Sequence, residues 1–124
     1  MKSMILAASV ACALAAQVAH ANCSYPVAPG KFPDGSVASK EEMQAAKKLV
    51  VQYDADINAY LACIRSEYQT TAAAQTDAKQ KADLARTHAQ KEDAALAEVH
   101  DVVGRFNEQL KSWKAKNDAA KKSP

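Results

Sequence analysis

The chain is poor in the residues that interrupt regular structure. It has three glycines and four prolines in 124 residues, and neither type occurs after Ser39 until Gly104. A glycine-rich phosphate loop and a serine on a glycine elbow are therefore both absent. Cysteine stands only at positions 12, 23 and 63, so there is no CxxC redox pair. Sixteen basic side chains nearly balance fourteen acidic ones, which leaves no basic stripe for nucleic acid. The longest uncharged run, near the start, is short and alanine-rich, below the roughly 20 strongly apolar residues of a membrane span.

That run has another reading. Lys2 precedes small and apolar residues from Met4 to Val18, followed by Ala19-His20-Ala21, the pattern that a signal peptidase cleaves after. A core helix would show polar residues at helical spacing, and none occurs between Ser9 and Gln17. Lipoprotein processing needs a leucine-like residue three before a cysteine, where Cys12 has Ser9 and Cys23 has His20. Residues 1–21 are thus expected to be a cleaved signal peptide. About 103 residues follow, carrying 15 basic and 14 acidic groups, enough for one domain. The expected location is periplasmic or secreted, with no integral membrane span in the mature chain.

Beyond Ala21 only Cys23 and Cys63 remain, 40 positions apart. An exported chain with two cysteines allows one internal bridge. Closing that loop is worth about 4 kcal/mol in the chain-entropy account. An intermolecular bridge and two free thiols are the alternatives.

Residues 22–38 hold three of the prolines and two of the glycines, with Pro33-Asp34-Gly35 as a turn signal. They predict an extended, irregular arm anchored by Tyr25, Val27 and Phe32. At Ser39 the pattern changes. Ser39 and Glu42 have capping-box spacing. Met43, Ala46, Val50, Tyr53, Ile57, Tyr60 and Ile64 then follow a coiled-coil-like three-four spacing. Leu49, Leu61, Cys63 and Tyr68 widen the stripe to roughly 160°. A second seam runs through Ala78, Ala82, Ala85 and Ala89, then Leu96, Val99, Val103, Phe106, Leu110 and Trp113, with Glu92 interrupting. The threonine-bearing stretch 69–76 is the expected turn; a single helix of about 80 residues is the rival, against base rates. The expected fold is all-α: a long antiparallel helical hairpin over 39–124, with helices at about 39–69 and 77–117 and an arm clipped by Cys23–Cys63. Cys23 lies 16 residues before Ser39, which can reach about 55 Å. Cys63 lies about 36 Å along the helix, so the clip is feasible.

A turn near residue 73 sets Ile64 opposite about Ala82 and Met43 opposite about Val103. Phe106, Leu110 and Trp113 then overhang the first helix. Uncovered large apolar residues mark an interface, and these three are the candidate contact with an unknown protein partner or a second copy. Covering by Val27 and Phe32, or by a bend, is the competing expectation.

Other groups point weakly to chemistry. His88 and Glu92 share a helix face, but zinc takes three or four ligands, and His100 is about 18 Å further along. A packed structural histidine is the simpler reading, with no metal and no cofactor expected. Glu41-Glu42 and Glu92-Asp93 are adjacent and diverge. Tyr53, Tyr60 and Tyr68 are read as core rather than as a recognition ladder. Lys111, Lys114, Lys116, Lys121 and Lys122 are read as complementing the helix dipole. No enzymatic activity is expected.

The stretch from Pro33 to Cys63, PDGSVASKEEMQAAKKLVVQYDADINAYLAC, resembles a family of small exported bacterial helical proteins. The shared elements are the PDG turn, the serine-capped EEM start and a tyrosine-rich helix ending in cysteine. They cover about a quarter of the chain and imply export without implying an activity. The chain lacks the LTxxQ repeats of one periplasmic chaperone family, and the lipidated start and terminal lysine of the small wall-linked lipoprotein. The expectation is a non-enzymatic binding or structural protein of the cell envelope acting through an apolar helical surface. An ATP-independent holdase chaperone is the alternative.

Overall fold

The computed structural model describes residues 22–122, so the expected signal peptide, residues 1–21, lies outside the described residues. Two antiparallel helices pack against each other, α1 over Lys40–Ala74 and α2 over Ala78–Lys122. The described residues contain no strand.

Ser39 starts α1 as read from its spacing. Its hydroxyl accepts from the Glu42 N–H at 3.1 Å, and the Glu42 carboxylate accepts from the Ser39 N–H at 2.7 Å. These hydrogen bonds hold the Glu42 carboxyl below its usual range. α1 runs five residues past the expected end. Thr70 and Thr71 return their hydroxyls to the carbonyls of Ser66 and Glu67, so both stay helical. The break comes at Gln75, whose ψ of 134° is extended. Asp77 then caps α2, accepting from the Gln80 N–H at 2.8 Å. A three-residue connection thus separates two helices, and the single long helix is excluded.

The α1 seam is buried as expected. Met43, Ala46, Tyr53, Ile57, Tyr60 and Ile64 are each at most 9% exposed, and Val50 is half-buried. Leu49, expected to widen the stripe, is 57% exposed.

The α2 seam needs correcting. Ala78, Ala82, Ala85 and Ala89 face solvent, and Leu96 is 56% exposed. The packed positions are Leu84, His88, Ala95, Val99, Val102 and Phe106. The later turn shifts the register, so Ile64 shares a cleft wall with Leu84 and His88, and Met43 packs with Phe106. Two clusters result. One joins Tyr53, Ile57, Tyr60 and Ile64 to Ala95 and Val102; the other joins Ala38, Met43 and Ala46 to Phe106. Between Ile64 and Ala95 no described residue is buried. The core therefore fills the half of the hairpin nearest the arm, and the tip is thin.

Candidate functional site

Two helices leave a groove along their seam, and residues 22–38 fill it. The arm runs antiparallel to α1 and parallel to α2. Cys23 is bonded to Cys63, with their Cα atoms 5.8 Å apart. The Tyr25 hydroxyl donates to Glu98, and its ring meets Tyr60 edge-on at 4.9 Å. Arg105 donates to the carbonyls of Gly30 at 3.0 Å and Pro29 at 3.4 Å, and its guanidinium lies 5.6 Å from the Phe32 ring. Phe32 meets Phe106 edge-on at 5.6 Å. The Gly35 N–H donates to the Gln109 side chain at 3.0 Å, and Lys116 donates to the Ala38 carbonyl at 2.7 Å. The turn between them is closed by the Val37 and Ala38 N–H groups on the Asp34 carbonyl.

This arrangement decides the overhang. Phe106 is buried, and Leu110 and Trp113 are half-buried against the cluster that includes Phe32 and Ala38. Of the candidate interface, Phe106 is thus covered by α1 and the arm together, while Leu110 and Trp113 keep part of their surface open, Trp113 in a cleft it shares with Lys40 and Asn117. Val27 contributes nothing to the cover, being 92% exposed. The covering residues are Met43 and Ala46 of α1, with Phe32 and Ala38 of the arm.

A cluster of phenols lies where the arm begins. The Tyr53 hydroxyl is buried beside Tyr25 and Glu98 without a hydrogen bond of normal geometry. Desolvation raises the pKa of Tyr25 and Tyr53, with Glu98 adding to both shifts. Both phenols therefore stay neutral at ordinary pH. Tyr53 and Tyr60 are core, as read from their spacing, while Tyr68 is half-buried at the tip.

At the tip Tyr68 stacks on His88 with ring centroids 4.6 Å apart. Beside them is a cleft of about 170 Å³ walled by Ile64, Leu84, Glu67 and Lys91. His88 Nε2 is buried without a hydrogen-bond partner, 3.7 Å from a Glu92 oxygen that also faces Arg65 at 3.4 Å. Among the described residues no cluster of three or more His, Cys, Asp or Glu side chains could hold a metal. His100 is exposed and takes no part. Of the C-terminal lysines, Lys121 and Lys122 lie in the last turn of α2, and Lys116 ties down the arm. That last role was not visible in the sequence, because its partner is a backbone carbonyl 78 residues away. Arg105 was missed for the same reason.

Among the described residues no helix is long and apolar enough to cross a membrane. Compared with known proteins, the chain matches no family model, no curated protein and no solved structure.

Proposed function

We propose that this chain is an exported, non-enzymatic binding protein of the cell envelope that meets a protein partner through the tip of its helical hairpin. The observation that carries this reading is the uneven core. One half of the rod is stiffened by the arm, the disulfide and both buried clusters. The other half presents Tyr68, Leu84 and His88 around an open cleft in which Ile64 is the one buried lining residue. Partly covered aromatic and aliphatic side chains beyond a stiffened base are what a protein contact uses. The residues that chemistry would recruit are engaged otherwise: Cys23 with Cys63, Glu42 in the cap, Glu98 with Tyr25. The disulfide supports export, since such bonds persist in oxidising compartments. The resemblance of residues 33–63 to small exported bacterial proteins supports it too.

A photo-crosslinking residue placed at Leu84 tests the reading in cells that make the protein. A discrete adduct from Leu84, with none from the outward position Gln52, is the expected outcome. Equal labelling from both positions would sink it.

The exposed face of Ala78, Ala82, Ala85 and Ala89 favours a second reading, the ATP-independent holdase. Suppression of a client's aggregation at near-stoichiometric ratio supports it, and no effect at large excess removes it.

A further inference from the structure

We propose that the groove between α1 and α2 is a docking site for the arm of a second copy of this chain, with the Cys23–Cys63 bridge deciding between an arm held in cis and one held in trans. The arm is bound in the manner of a peptide ligand. Apart from Tyr25 on Glu98, the long-range hydrogen bonds meet its backbone: the carbonyls of Pro29, Gly30 and Ala38 and the N–H of Gly35. Within the arm, the backbone–backbone hydrogen bonds are confined to the turn at Asp34. It therefore gives up little internal structure on leaving.

The occupant is specified by three positions. The groove takes an aromatic ring against Tyr60, a second against Phe106 seven residues later, and three residues after that a residue without Cβ. A Cβ at Gly35 would stand 1.8 Å from the Gln109 carbonyl oxygen. Tyr25, Phe32 and Gly35 satisfy that pattern, so a second copy brings the segment the groove is shaped for. Ser36 and Val37 are exposed and lie in the turn on Asp34 that joins the arm to α1, the segment that would have to open for the arm to leave. Exchange of an identical element between protomers needs no new interface. A short tether gives the cis arm an effective concentration on the order of millimolar. The cis form thus dominates in dilute protein, and the trans form gains as concentration rises before the bridge closes.

The test uses the full chain with Cys12→Ala. The donor carries Cys63→Ser, with Cys23 held as a mixed disulfide with glutathione. The acceptor carries Cys23→Ser, with Cys63 free. The Cys63 thiolate attacks Cys23 Sγ, the new S–S bond forms, and glutathione leaves as its thiolate. The covalent heterodimer is expected at least about tenfold faster than the like pair, Cys63 chain on glutathionylated Cys63 chain, because docking raises the local concentration of only the first pair. Concentrated guanidinium should erase the difference. Phe32→Ala in the donor should slow the reaction about fivefold through loss of the aromatic pair, and in the acceptor should speed it by weakening the competing cis arm. Equal rates for like and unlike pairs, or a Phe32→Ala effect of the same sign in both chains, overturns the proposal. A second measurement needs no substitution of Cys23 or Cys63. Reduced isotope-labelled and unlabelled chains are mixed, oxidised together and digested. Cys23–Cys63 peptide pairs with one labelled half should increase with protein concentration; their absence at every concentration overturns the proposal.

Discussion

Gly35 lies against the backbone of α2 at Gln109, so close that a built Cβ would sit 1.8 Å from the carbonyl oxygen, 2.8 Å from its carbon and 2.9 Å from the Trp113 nitrogen. Helical backbone cannot give way as a flexible side chain can. No described glycine has a positive φ, so Gly35 is required by proximity and not by backbone conformation. Gly35→Ala is expected to lift the turn from α2 and cost about 1–3 kcal/mol, the range for overpacking. Gly104→Ala meets nothing within 4 Å and should gain about 1 kcal/mol of helix propensity. Urea midpoints of the two variants should move in opposite directions.

The corrected register of α2 makes a second prediction. Ile57 is 1% exposed and Leu96 is 56% exposed. Ile57→Ala should cost about 2–5 kcal/mol through lost burial and a residual cavity. Leu96→Ala should stay within about 0.5 kcal/mol, as exposed substitutions do. Ala95→Leu, at a position 0% exposed, should destabilise by about 1–3 kcal/mol. A large loss from Leu96→Ala in chemical denaturation would restore the seam first read from the sequence.

Reduction of Cys23–Cys63 should lower stability by about 4 kcal/mol in the chain-entropy account, measured as the shift in urea midpoint between oxidised and reduced protein. Helical circular dichroism should persist in the reduced form. The arm contributes none of the helix, and α1 and α2 pack on each other directly.

The tyrosines set an alkaline limit. Tyr25 and Tyr53 have pKa values raised above 10.0, by desolvation first and then through Glu98. Above that value an unfolded tyrosine ionises while the folded one keeps its proton, so the native state binds more protons and stability falls with rising pH. Their contribution is complete below about pH 10 and is lost as pH climbs through the raised folded values. Thermal unfolding temperatures should therefore fall above about pH 10. The fall should be shallower in Tyr25→Phe. An unchanged alkaline profile in that variant would show that Tyr25 does not carry the effect.

What the sequence could show depended on how strongly each position discriminates inside from outside. The α1 seam was legible because large residues alternate with charged ones, and only one face can be buried. Alanine does not discriminate, so two sets of positions in the first half of α2 satisfy helical spacing equally. The structure selects Leu84, His88, Glu92 and Ala95, with His88 stacked on Tyr68 and Glu92 facing Arg65. The turn was placed too early because threonine was read as a breaker, whereas Thr70 and Thr71 satisfy their hydroxyls on the preceding helical turn. The Asp77 cap on Gln80 was the better signal. Phe32 was legible as an arm anchor, but Arg105, Gln109 and Lys116 were not. Each holds the arm by backbone groups more than 70 residues distant, and no local pattern records such contacts.

The arm's parallel course along α2 sets a timetable. Synthesis proceeds from the N-terminus, so the arm is among the first parts of the folded chain to emerge. Its anchors at Glu98, Arg105, Gln109 and Lys116 are among the last. Cys63 arrives well before them. Between the arrival of Cys63 and that of these anchors the arm therefore has a thiol to react with and one face of α1 to lie on but no complete groove, and oxidation can tether it before α2 closes over it.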